Sequence, residues 1–360
     1  MEPASRNFLD RLLATPGVSG FEQQVQQVVR DYVQEFADET TTDMHGNLFV
    51  AVNPRAETRV MLAGHADQIG LIVSWIDDNG FLFFQTVGGW DPQQLVGQKV
   101  IVWSAQGPVN GVIARKPIHL QDESERKQVA NIKALWIDIG CRTKDEADSL
   151  VRIGDSATLR MEHHELQNSL LAGPALDNRS GVWVVIEGLR RAKQLGATCG
   201  VWAVSTVQEE IGLRGAQTAA YTIAPQIGIA VDVTHATDCP EMDRKQLGHI
   251  RVGDGPVVVH GPNTNPEVVS RLMGLSKTKS IPVQAAALGK AASNDGNVLQ
   301  ISRGGVAAGI VAVPNRYMHS GVETVSLHDL DYAATLLAEF CCTVQSPEEF
   351  IPRLAGLAAG

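Results

Sequence analysis

The chain is poor in cysteine: five among 360 residues, at Cys141, Cys199, Cys239, Cys341 and Cys342. The number is odd and no pair has CxxC spacing, so neither a disulfide framework nor a cysteine zinc site is supported. Reduced thiols in a cytoplasmic protein are expected instead. Positive charge is also scarce. With 30 Lys and Arg against 40 Asp and Glu, the formal net charge of -10 argues against nucleic acid or an anionic membrane as partner. No apolar run approaches the roughly 20 residues that span a bilayer. The opening MEPASRNFLDRLLATPG is amphipathic and lacks an apolar run followed by a cleavage site, so no secretory leader is expected. Internal repeats and low-complexity stretches are missing too. What remains is 44% hydrophobic and 19% charged, an ordinary globular composition on a chain long enough for two domains.

The hydrophobic pattern alternates between two periods. Residues 5–14 read as a helix. Ser19 and Glu22 make a capping-box pattern ahead of FEQQVQQVVRDYVQEFA, whose apolar residues recur at helical spacing. Strands follow at 47–52 and 59–64, the second running into His65-Ala66-Asp67. From about 69 to 164 the texture becomes β-rich. Short runs at 71–76, 81–87, 99–104, 111–115, 134–140 and 156–160 are separated by turn residues, which suggests a small barrel or sandwich. Trp75, Trp90, Trp103 and Trp136 fall in this stretch and most of them are expected to fill its core, while the charged 118–130 loop is expected to be mobile or at an interface. After 165, strands and helices alternate again through a final helix at 327–344.

Candidate chemistry gathers at the ends of these strands. The run Val201–Val207 reads as a buried parallel strand that breaks into Glu209 and Glu210. In open α/β sheets ligands bind outside the carboxyl ends of strands. His65 and Asp67, Asp177, Asp232 and His319 occupy comparable positions. Each alone has a plainer explanation; Asp177, for one, suits a helix N-cap. His163, His164 and Glu165 read as an exposed linker, His235 as a surface residue, and Asp238, Glu241 and Asp243 as a solvated acidic loop. Imidazole mixed with carboxylate suits zinc, cobalt or manganese. Two histidines and three carboxylates exceed the needs of one tetrahedral ion and match two ions sharing a carboxylate.

In order, HADQIG, GPALDNRSG, QEEIGLRGA, AVDVTHATD and RYMHSG resemble the glutamyl, deblocking and tetrahedral aminopeptidase family of two-zinc metallopeptidases, some members of which are labelled endoglucanase. PGVSGFE, DMHGN and SNDGNVLQ add to the resemblance, which runs from residue 5 to about 345. It implies an α/β fold: a mixed-sheet α/β/α catalytic domain of residues 1–68 and 165–360, with an inserted small β-barrel dimerisation domain at 69–164. It also implies dimers assembling into a tetrahedral dodecamer, short peptides as substrates, and two divalent metal ions per subunit. His65 and Asp232 would hold one metal, Glu210 and His319 the other, with Asp177 bridging and Glu209 as the base that activates a bridging water. Asp67 would accept the free N–H of His65 and fix its tautomer. The family usually has an acid where this chain has Gln68, so a role for position 68 is in doubt. A cis peptide between Asp177 and Asn178 is expected on the same grounds.

The expected reaction is removal of an N-terminal amino acid. Another two-metal amide hydrolase, an acyl-amino-acid deacylase or a carboxypeptidase, has the same ligand needs. An endoglucanase would need two carboxyls flanking the scissile bond, and the histidines would have no use. A non-catalytic assembly protein would have lost a ligand or the base, and none is missing.

Overall fold

Side-chain alternation along the strands decides the architecture. A computed structural model describes residues 1–352; residues 353–360, the end of the expected 165–360 segment, lie outside the described residues. The strands are β1 (Glu39–Thr42), β2 (Leu48–Val52), β3 (Arg59–His65), β4 (Gly70–Ile76), β5 (Leu82–Val87), β6 (Lys99–Ser104), β7 (Gly107–Ala114), β8 (Trp136–Asp138) and β9 (Ser156–Leu159). After them come β10 (His164–Leu166), β11 (Leu170–Ala172), β12 (Gly200–Thr206), β13 (Ile227–His235), β14 (Val257–His260), β15 (Gln284–Ala287), β16 (Ala307–Asn315) and β17 (Thr324–Ser326). One mixed sheet has the order β1-β2-β12-β3-β13-β16-β14-β15. Its four central strands, β12, β3, β13 and β16, are parallel, so their carboxyl ends share one edge.

Successive side chains of a strand point to opposite faces. Val60 and Leu62, Val201 and Ala203, and Ile227, Ile229 and Val231 join the main core with the helices Pro3–Ala14, Gln23–Val33, Leu176–Leu195, Pro266–Lys279 and Leu327–Thr343. The intervening Met61, Ala63, Val204 and Ala230 pack on the other face against Ala219, Ala220 and Ile223 of the helix Arg214–Ile223. The result is the expected α/β/α layering. His65 and Asp232 continue the second set, as do Ile310 and Ala312 of β16; Asp232 is the register partner of Ala312. That face is thinly covered near the carboxyl edge, and a cavity of about 650 Å³ opens there.

The strands β4-β5-β8-β7-β6-β9 close into a barrel. Its interior is filled by alternating aliphatics such as Leu71 and Val73, Val100 and Val102, and Ile113 and Ile137. Of the four tryptophans only Trp90 packs against that core. A bulge between Val73 and Trp75 resets the alternation, so Ile76 turns inward and Trp75 is left 54% exposed. Trp90 and Trp103 are half-buried and donate to Gly70 O and Thr158 Oγ1, because an indole N–H needs an acceptor that an aliphatic core lacks. The 118–130 segment is more ordered than a plain loop: Asp122 and Glu125 close a capping box over the helix Glu123–Arg126. Among the described residues no helix is long and apolar enough to cross a membrane.

The Ser19–Glu22 pattern does not cap the helix that follows it. The helix Gln23–Val33 has no side-chain cap; Ser19 donates to Asp67 Oδ2 at 2.6 Å, and Glu22 Oε1 accepts from the N–H groups of Gly20 (2.8 Å) and Gln208 (3.1 Å). A local motif has been taken over by tertiary partners that lie at the strand ends.

Candidate active site

Six of the seven residues singled out in the sequence line the cavity at the carboxyl edge of the sheet, and the seventh, Asp67, is buried behind Glu209 and Glu210. His65 closes β3, Glu209 and Glu210 follow β12, and Asp232 lies near the end of β13. Asp177 precedes the regular part of the helix Leu176–Leu195 and does not cap it; Asn178 does that work, accepting from Gly181 N at 2.9 Å. The peptide between Asp177 and Asn178 is cis, as the resemblance implies. Gly181 is required here. A Cβ would meet Asn178 Oδ1 at 2.2 Å, and Gly64 of β3 packs so closely that its own Cβ would meet the Gly181 backbone at 2.7 Å.

The geometry separates the residues into two sets around Asp177. His65 Nε2 lies 3.2 Å from Asp177 Oδ1 and 3.6 Å from Asp232 Oδ1. His319 Nε2 lies 3.3 Å from Asp177 Oδ2 and 3.4 Å from Glu210 Oε2. Each oxygen of Asp177 therefore faces a different histidine. Glu209 stands further off, 3.8 Å from His65 Nε2. Ligand atoms about 2.0–2.2 Å from a tetrahedral zinc are separated by roughly 3.3–3.6 Å, the edge of the tetrahedron. The observed spacings match that edge. Asp177 Oδ1 and Glu210 Oε1 are buried with no hydrogen-bond partner, and two sets of donor atoms, from His65, Glu209 and Asp232 and from His65, Asp177 and Glu210, each lie within 4.8 Å of one another. The donor set fits divalent cations.

Charge points the same way. No Lys or Arg lines the cavity among the described residues. Burial, reinforced by Asp232, Asp295 and Glu210, pushes Glu209 up to about 10 against the pull of His65. Burial and Asp177 push Glu210 up to about 8. Burial works to lower His65, yet Glu209, Asp177 and Asp232 hold it well above the ordinary imidazole range. His319, hydrogen-bonded to Asp177, is raised to about 9. Among the described residues, the counter-charge lining this nest of acids comes from imidazoles and not from Lys or Arg.

Several supporting contacts escape a sequence reading. Asp67 is fully buried, and its carboxylate accepts from Ser19 Oγ, from Glu209 N at 3.0 Å and from Glu210 N at 3.1 Å. The N–H of His65 Nδ1 goes to the main-chain oxygen of Asp67 at 3.1 Å, with Oδ1 at 3.4 Å, so backbone and side chain share the task expected of the carboxylate alone. Glu323 accepts from Asp177 N at 2.8 Å and His319 N at 2.9 Å. Gln208 and His319 have left-handed backbones, with φ of 55° and 61°, a conformation costing about 1–3 kcal/mol in a non-glycine residue. Glu22 and Glu323 hold them there through their main-chain N–H groups. The only sequence signal is an acid close to a ligand, as with Glu323 after His319. Gln68 accepts from the buried Arg179 at 3.1 Å, a structural use. His235 is exposed at the cavity rim, and Asp238 is paired with Arg316 and is not a solvated acid. His163 Nε2 donates to Pro174 O at 2.8 Å, while His164 and Glu165 are exposed.

The sequence profile of the M42 glutamyl aminopeptidase family matches residues 46–336. The chain belongs to the M42 family. This M42 protein is 35% identical over 350 residues to the lysyl aminopeptidase of Pyrococcus furiosus, covering 96% of this chain and 99% of the relative. Its fold matches the TET aminopeptidase of the marine sediment archaeon Thaumarchaeota archaeon SCGC AB-539-E09 with a TM-score of 0.92 and 32% identity, over 96% and 99% of the two chains. It also matches the Pyrococcus horikoshii TET1 peptidase, described as assembling into a tetrahedron or a large octahedral shell, with a TM-score of 0.84 and 30% identity over 94% and 100%. M42 proteins are metallopeptidases, so the family and the donor set agree on divalent cations.

Proposed function

We propose that this M42 protein is a dinuclear metallo-aminopeptidase that removes N-terminal amino acids from short peptides. His65 and Asp232 would hold one ion, His319 and Glu210 the other, with Asp177 shared between them. Zinc suits the set, and cobalt or manganese would also serve. The single observation that carries the reading is the split of Asp177, one oxygen toward each histidine. When bound, the cations supply positive charge that polarises the scissile carbonyl and acidifies water.

The remaining work falls to the side chains. Glu209, which stands further from His65 than Asp177 and Asp232 do, takes the proton of the attacking water on its carboxylate and delivers it to the departing amine nitrogen. Asp67 orients Glu209 and Glu210 together, because it holds both of their N–H groups. Burial keeps bulk water from competing for the proton. The barrel spanning β4 to β9, within the 69–164 insert, is read as the dimerisation unit, and a TET-like dodecamer of such dimers as the assembly. The five free thiols suit a cytoplasmic setting.

Glu209→Gln tests the mechanism. The variant is expected to retain two metal ions per chain by elemental analysis while kcat on an aminoacyl anilide falls about 10²- to 10⁴-fold. Wild-type turnover in that variant would remove Glu209 as the base.

A further inference from the structure

We infer that the site selects peptides whose N-terminal residue has an uncharged aliphatic side chain, of the size of leucine or methionine, and turns away acidic and basic ones. The inference rests on the aminopeptidase reading and names the substrate class of that same cavity.

The sheet face that carries His65 and Asp232 does not end with them. Along it, Ile310 and Ala312 of β16 and Val259 of β14 form an apolar floor directly beside Asp232. Ala292, Leu288 and Met318 complete the wall around that floor. A side chain on the residue whose carbonyl reaches the ligand cluster has this surface to rest on. Ala312 in the floor and Ala292 in the wall are small, which leaves room for a γ-branched or unbranched chain. Burial of apolar area there favours substrates roughly in proportion to the area covered.

The polar residues on the rest of the lining are neutral: Thr234, Ser293, Asn294 and Asn297, with His235 at the open rim. An acidic side chain would be desolvated with no Lys or Arg to meet it. A basic one fares no better. The carboxylates in the cavity are Asp177, Glu209, Glu210 and Asp232, and four negative charges are offset by two divalent cations. The nearby acid Asp238 is already held by Arg316 through two contacts. The lysyl and glutamyl preferences in the names of the relative and the family therefore have no counterpart in this lining.

The experiment is a panel of leucyl, methionyl, alanyl, glutamyl and lysyl anilides on the metal-loaded enzyme, with free leucine, glutamate and lysine compared as stabilisers in thermal melts. The kcat/KM for leucyl is expected to exceed alanyl by about tenfold or more and the charged substrates by about a hundredfold. Leucine should raise the melting temperature more than glutamate or lysine. Leu288, 39% exposed, tolerates charge, so Leu288→Arg should raise the glutamyl-to-leucyl ratio about tenfold and Leu288→Asp the lysyl-to-leucyl ratio. Faster cleavage of glutamyl or lysyl anilide, or ratios unmoved by both variants in proteins that melt normally, would overturn the selectivity and leave the aminopeptidase reading intact. Failure on every aminoacyl anilide would overturn the activity, and the melts would then decide the selectivity alone.

Discussion

Asp67→Asn keeps the shape of a buried side chain and removes one charge and one acceptor. The carboxylate serves three donors: the N–H groups of Glu209 and Glu210, one on each oxygen, and the Ser19 hydroxyl. An asparagine has one oxygen, so in either amide orientation its NH₂ faces a main-chain N–H. The hydroxyl of Ser19 can rotate to accept; a main-chain N–H cannot. Losing a hydrogen bond to a charged acceptor costs about 1.5–3 kcal/mol. At about 1.4 kcal/mol per tenfold, that is roughly a 10- to 150-fold effect if expressed wholly in the transition state. The displaced loop carries both the proposed base and a proposed metal ligand, so metal affinity and kcat should fall together. Acid stability should change as well. Burial would raise the Asp67 carboxyl, but His65, the Ser19 hydroxyl and the Glu209 N–H outweigh burial and hold it below the ordinary range. A lowered folded pKa gives stability that is present above the unfolded value of about 3.9 and is lost as pH falls through the folded one. The wild-type melting advantage over Asp67→Asn should therefore shrink on acidification from pH 6 to below 4. Metal content after dialysis, anilide kinetics and melts across pH are the assays. Wild-type kcat/KM with full metal retention would refute the claim that Asp67 orients the Glu209–Glu210 loop.

Metal-stripped protein should hold extra protons at neutral pH, because Glu209, Glu210 and His319 are pushed up to about 10, about 8 and about 9 and His65 is held well above the ordinary imidazole range. Adding zinc at pH 7 in weak buffer should release about three to four protons per chain, read with an indicator dye, and no release would contradict the acid nest. Glu187 is fully buried; Arg190 is the main cause holding its carboxyl down against burial, helped by Tyr32. Its contribution is present above its unfolded value of about 4.3 and disappears as pH falls through the lower folded one. Glu187→Gln should cost about 3 kcal/mol at pH 7, the low end for a broken buried pair because Arg190 keeps some solvent contact, and much less near pH 3. Gly89→Ala would set a Cβ 3.2 Å from His319 Nδ1, so metal content after dialysis should drop from two ions toward one with little change in melting of the stripped protein.

What could be read from the residues, and what could not, follows from the range of each interaction. His65, Asp232 and the Glu209–Glu210 pair were legible because a parallel strand ends where its apolar run ends, and its carboxyl end is where a side chain meets an open crevice. The barrel was legible because period-2 runs broken by turns have few other uses. The misread features are those in which a distant partner wins. Ser19 and Glu22 have the spacing of a helix cap, yet a buried carboxylate at position 67 and a strained N–H at position 208 bind them better than the adjacent helix does. Trp75 has the alternation of an inward residue until one bulge turns it out. Glu323 resembles any surface acid until its two oxygens are found on the main chain of Asp177 and His319. Gly89 is the extreme case. It belongs to the barrel segment by position, but it lies against the imidazole of His319, so the insert supplies a wall of the site as well as a fold of its own. A period reports what a residue does within its own element. Contacts such as 19 to 67, 177 to 323 or 89 to 319 leave no period behind, and in this protein they are what hold the proposed cation ligands at their observed spacing.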